Sequence, residues 1–164
     1  MTLATHAITG AAIASFIPAH PVAAFAAGFA SHFIIDAIPH YDYPIYSDSI
    51  HPKKSAQRIQ IDRAFLRDAF DFSLDAAAGI LISVAAFASV PSFITVLAGA
   101  IGGILPDPLQ FVAKKWRHEP LRSLQRFHLW IHTKHRLRES GQRTLGIVSQ
   151  TGFVAVIVLL AKFF

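Results

Sequence analysis

Residues 28–44 read GFASHFIIDAIPHYDYP, and the fold turns on how this stretch is read. The run from Val22 to Ile38 is apolar and is closed by Pro39, which has no N–H to continue a helical ladder, so a helix is expected to end there. Close to that end stand His32 and Asp36, four residues apart and therefore on one helix face. An ionisable side chain near the centre of a membrane helix costs about 2.5 to 3.5 kcal/mol on insertion scales, so each needs a partner or a function. Imidazole and carboxylate at this spacing can grip one metal ion. His40 and Asp42 follow where the chain has left helical geometry, and they are expected to fold back over the same site as catalytic groups.

Working outward, further apolar stretches run from about Leu3 to Ile17, Ala69 to Val90, Ser92 to Val112 and Thr144 to Phe164. Five membrane helices in a single domain spanning residues 1–164 follow, an all-α integral membrane bundle. The first two stretches fall short of the ~20 residues that a full hydrocarbon span needs. Composition agrees: 53% of the 164 residues are hydrophobic and mean hydropathy is +0.45. No Lys or Arg precedes Lys53, so the first stretch lacks the basic start of a secretory signal peptide and is expected to be retained as a helix.

The net charge of +5 is concentrated in two basic loops, at about residues 39–67 and 114–143. By the positive-inside rule both face the cytoplasm, which puts the N-terminus inside. His6, His32, Asp36, Asp71, Asp75 and Asp107 then all lie at one depth near the cytoplasmic face. Asp71 and Asp75 share a face, and Asp107 sits between Pro106 and Pro108, where the helix is interrupted. His6, His32, Asp36, Asp75 and Asp107 are the expected metal ligands. Because the chain has no cysteine, the donors are imidazole nitrogen and carboxylate oxygen, a set that suits zinc, manganese or iron, as one ion or two.

In the second basic loop, residues 121–138 place Leu124, Phe127, Trp130 and Ile131 among Arg122, Arg126, Lys134, Arg136 and Arg138, the pattern of an interfacial amphipathic helix. His128, His132 and His135 share one of its faces and could either complete a metal site or orient a substrate phosphate. His128, His132 and Arg126 are the expected substrate-binding groups, suited to orient a phosphate. The aromatics around the basic patch are too few to favour nucleic acid, and the expected partner is membrane lipid.

Three motifs carry a family resemblance: Thr5-His6 with Gly10 four residues on, SHFIIDAIPHYD at 31–42 and GGILPDP at 102–108. Together they resemble the bacterial inner-membrane metal-dependent hydrolases and, more distantly, the zinc-dependent phospholipase C group. The resemblance covers about the first 110 residues through short motifs. It implies metal roles for His6, His32, Asp36 and Asp107, and a role for His40 as a further ligand or a catalytic base. The expected function is hydrolysis of a phosphate ester such as a phospholipid by metal-activated water, in the cytoplasmic membrane with the site facing the cytoplasm. A non-catalytic cation-binding membrane protein or small transporter is the alternative that the same residues allow.

Overall fold

The computed structural model describes residues 1–42, 44–47, 61–116, 118–132 and 140–163. Among them are seven helices and no strand: α1 (Leu3–Ser15), α2 (Pro21–Asp36), α3 (Arg63–Phe87), α4 (Phe93–Ile104), α5 (Pro106–Lys115), α6 (Leu121–Ile131) and α7 (Ser140–Phe163). The all-α class expected from the apolar stretches is therefore what forms. Lys53, Lys54, Arg58, Lys134, His135, Arg136, Arg138 and Tyr43 lie outside the described residues.

Helix boundaries follow local chemistry. The Thr2 side chain accepts a hydrogen bond from the Thr5 amide and caps α1, and Asp62 does the same for α3 through the Phe65 amide at 2.9 Å. α2 begins on Pro21, whose fixed φ and missing N–H suit a first helical turn. One expectation needs correction: the stretch from Ser92 to Val112 is two helices, α4 and α5, bent by 43° at Pro106. Pro106 and Pro108 both lack the N–H that an unbroken ladder requires. The third helix also starts six residues ahead of its apolar run, at Arg63, because the Asp62 cap lies there.

α4 packs along both α1 and α2, and α3 lies against α1. α1 is the central helix, with ten of its thirteen residues buried. The helices approach this closely because glycine stands at their crossings. A Cβ on Gly99 would stand 2.5 Å from the Gly10 carbonyl oxygen, and one on Gly103 would run into the backbone of His6. Small residues at helix crossings are the usual means of close packing in lipid. At the end away from the polar residues, the Thr95 hydroxyl donates to the Pro18 carbonyl at 2.7 Å and ties α4 to the α1–α2 turn.

Two helices lie on the outside. α3 buries only Asp68, Gly79 and Ser83, and it exposes Leu66, Phe70, Leu74, Leu81 and Ile82. α7 touches α1 and exposes Leu145, Val148, Val156, Leu159 and Leu160. Both are long and apolar enough to cross a membrane, and the bent pair α4–α5 would make a third span. α1 and α2, with 13 and 16 residues, are shorter apolar helices.

Gly103→Ala is expected to destabilise the bundle by about 1 to 3 kcal/mol, the usual cost of overpacking. Gly152→Ala, where nothing lies within 4 Å of the added methyl, is expected to be neutral or slightly stabilising. Thermal unfolding in detergent checks the pair, and equal melting temperatures would contradict the packing described.

Candidate metal centre

Asp36, 1% exposed, ends α2, and five histidines converge on its carboxylate. Oδ1 lies 3.2 Å from His6 Nε2 and 3.8 Å from His40 Nε2. Oδ2 lies 3.0 Å from His128 Nε2, 3.2 Å from His32 Nε2 and 3.7 Å from His132 Nε2. Asp107 stands beside them, its Oδ1 3.6 Å from His32 Nε2. The Met1 amine lies 3.1 Å from Asp36 Oδ1 and 3.3 Å from Asp42 Oδ1.

Each element delivers its residue for a local reason. His32 and Asp36 share a face of α2 by their four-residue spacing. Past Asp36 the helix closes, with the Ile38 amide bonding the Ile35 carbonyl at 3.1 Å, and Pro39 turns the chain so that His40 folds back. His6 lies one turn into α1, where close packing on α4 leaves it fully buried. The bend at Pro106 swings Asp107 toward the histidines. α6 packs on α5 and α2 and turns His128 inward.

The ring nitrogens show what these side chains are prepared to do. His32 Nδ1 donates to the Gly103 carbonyl at 2.8 Å, and His40 Nδ1 donates to the Ile38 carbonyl at 2.6 Å. A carbonyl can only accept, so both Nδ1 atoms carry the proton and, in a neutral ring, both Nε2 atoms present a lone pair. Those lone pairs face carboxylate oxygens and, for His32, the Nε2 of His128 at 3.3 Å. Lone pairs so juxtaposed repel unless a proton or a cation lies between them. Both ring nitrogens of His6 and Nε2 of His40 are buried and make no hydrogen bond, although oxygens lie near. Buried polar atoms of this kind are rare and costly; a shared ion would account for Nε2 of His40, whereas His6, although expected as a ligand, stands in neither group that could hold one. A carbonyl on the far nitrogen is also how metal-binding histidines are commonly oriented.

Among the described residues, two groups could hold a metal ion: His32, Asp36, Asp107 and His128, and then Asp36, His40 and His132. Within each group the candidate ligand atoms lie within 4.8 Å of one another. Asp36 belongs to both. His40 Nε2 also lies 2.8 Å from Asp42 Oδ1. Burial alone would raise the Asp42 carboxyl, but the His40 imidazole and the positive charge of the amino terminus hold it below the usual carboxylate range.

Not every residue expected at the site is brought there. Asp75 Oδ2 accepts the Ala4 amide at 2.8 Å, so this carboxylate serves the first turn of α1 and belongs to neither metal-binding group. Asp71 is exposed on α3. Arg126 turns outward, 3.4 Å from Glu119 and 3.1 Å from Ser123. His128 and His132, for which the sequence leaves open a metal site or a substrate phosphate, stand with the ligand-capable groups. Sequence reasoning missed Gln110, whose amide donates to Asp107 Oδ1 at 2.9 Å. Its position three residues after Asp107 on one helix was the available signal. It also missed Asp68, which accepts the amides of Tyr46 and Ser47 at 2.9 Å each and so ties the loop after Asp42 to α3.

No family model, curated protein or solved structure matches this chain. The likeness to membrane hydrolases therefore rests on the three motifs alone.

Replacing Asp75 separates capping from ligation. Asp75→Ala is expected to leave bound metal unchanged while lowering stability by about 1 kcal/mol, the usual loss for a helix cap. Metal content and melting temperature, measured together, check this, and joint loss of metal would return Asp75 to the site. Acid is expected to release the ion, because an imidazole must be neutral to ligate. Metal retained after dialysis at a series of pH values reads this directly, and retention that does not fall as the pH is lowered would speak against histidine ligands.

Proposed function

We propose that this chain is a multi-pass protein of the cytoplasmic membrane that uses a histidine- and aspartate-held metal ion, most suitably zinc, to hydrolyse a phosphate ester such as a phospholipid. The observation that carries this reading is the Asp36 carboxylate, nearly excluded from solvent, with histidines approaching both of its oxygens. Two carboxylates with neutral imidazoles leave a net negative charge in an apolar surrounding, which a divalent cation offsets. Nitrogen and oxygen donors without a thiolate suit zinc, with manganese or iron as the other candidates.

His32, Asp36, Asp107 and His128 would hold the ion, and Asp36 would be shared with any second ion held by His40 and His132. When bound, such an ion makes water acidic near neutral pH and stabilises charge developing on a phosphoryl group. The protein's own residues supply the rest. Where no second ion occupies it, His40, with its Nδ1 proton committed to Ile38, can accept a proton at Nε2 from an attacking water. Asp42, 2.8 Å away, would stabilise the imidazolium that results. Gln110 holds Asp107 in place through its amide. Access fits the buried-to-open gradient of the site, since Asp107 is 26% exposed whereas His6, His32 and His40 are fully buried.

The membrane setting draws on the outward apolar faces of α3 and α7 and on α6, which exposes Phe127, Leu129 and Trp130 while His128 points inward. A helix that lies in the lipid interface and carries a ligand on its inner face would put the centre within reach of headgroups.

Elemental analysis of detergent-purified protein, paired with hydrolysis of phospholipid and of a chromogenic phosphodiester, tests the reading. About one or two tightly bound ions per chain are expected. Asp36→Ala should lose the metal and lower activity by more than about a hundredfold, beyond the roughly 10- to 100-fold cost of losing an outer-shell partner. Full metal content after joint replacement of His32, Asp36 and Asp107 would overturn the site. Cation flux without phosphate release would instead favour a transporter.

A further inference from the structure

A cavity of about 200 Å³ lies between α1 and α7, beside the metal centre and outside it. Its polar end is formed by Thr2, Tyr41 and Gln150; Thr5 and Thr151 also line it, and its apolar walls are Ile8, Ile147 and Val154. The polar end adjoins the centre along two pieces of chain. Tyr41 stands between His40 and Asp42, and Thr2 follows Met1, whose amine lies 3.1 Å from Asp36 Oδ1. Gln150 joins the two: its amide nitrogen donates to the Tyr41 carbonyl at 2.9 Å, and its oxygen accepts the Thr2 amide at 3.4 Å.

We propose that this cavity holds a hydrocarbon tail of the substrate, whose phosphate lies at the Asp36 centre. The proposal rests on the phosphoesterase reading and names the amphiphilic class of substrate that it takes. Three features favour a tail over other occupants. Among the described residues no charged side chain lines the cavity, so none of them would hold a free phosphate or a headgroup. Gln150, the buried amide at its mouth, is already satisfied by Tyr41 and Thr2, so no polar ligand is demanded. The volume suits a stretch of single chain and is too small for a docked helix, whose cylinder alone is about 10 Å across. α7 is one of the two helices apolar and long enough to cross a membrane, so a tail would reach this wall from the hydrocarbon side.

The experiment uses the full chain in detergent and an alkyl phosphate carrying a photoreactive diazirine in its tail, with labelled peptides mapped by mass spectrometry. Saturable labelling of Ile8, Ile147 and Val154, competed by unlabelled alkyl phosphate, is the expected result. Val154→Trp and, independently, Ile147→Trp should lower that labelling at least about tenfold by excluding methylenes, with metal content unchanged. In the same variants KM for a long-chain phospholipid should rise, while hydrolysis of the tail-less chromogenic phosphodiester stays as it was. Labelling spread evenly over the outer faces of α3 and α7, and indifferent to both substitutions, would overturn the proposal. Groove labelling in a protein that releases no phosphate would uphold the tail site and refute the hydrolase reading instead.

Discussion

The Asp36 carboxylate is the constraint on which the rest of the structure depends. A negative charge almost wholly withdrawn from water has to be met by cations or proton donors from every side. Here the imidazoles gathered around it, those of His32 and His40 with lone pairs turned toward it, come from α1, α2, α6, the turn after α2 and the segment after α6. Chain segments far apart in sequence are thereby held at one end of the bundle. The approach of His128 to Asp36 spans a sequence separation of 92 residues, and that of His128 to His32 spans 96.

That end of the bundle can be so crowded because the helices behind it are thin. Gly10, Gly99 and Gly103 let α1 and α4 come together backbone to backbone, which brings His6 beside His32 with ring centroids 3.9 Å apart. Gly103 also offers its carbonyl to His32, so one residue serves both the packing of α4 and the orientation of an imidazole. Packing and site geometry are one arrangement here. A shift of α4 along α1 would move the carbonyl that fixes the His32 tautomer.

The outer helices have a different economy. α3 and α7 bury little of themselves and turn apolar surface outward, so their stability in water would be poor and in hydrocarbon good. Each still reaches inward through a few polar groups: Asp75 to the first turn of α1, Asp68 to the loop after Asp42, and Gln150 to Tyr41 and Thr2. These contacts join the apolar exterior to the polar centre without adding a ligand to it.

Much of this was legible in sequence. Apolar runs, proline breaks and the four-residue spacing of His32 and Asp36 are local features, and they determined the all-α class, most helix positions and the pair at the heart of the site. The bend at Pro106 was signalled too, though the continuous hydropathy of residues 92–112 hid that it makes two helices. Tertiary structure alone decided which of several suitably placed polar residues meet. Asp75 and Asp107 are both ligands expected from the sequence, yet one accepts the Ala4 amide of α1 and the other joins the histidines, because the packing of α3 on α1 and the bend of α4 into α5 aim them differently. His128 likewise reads as one face of a surface helix, and only the docking of α6 against α2 turns that face inward. Spacing along a chain determines which side chains share a face, and what that face meets is set by helices distant in sequence.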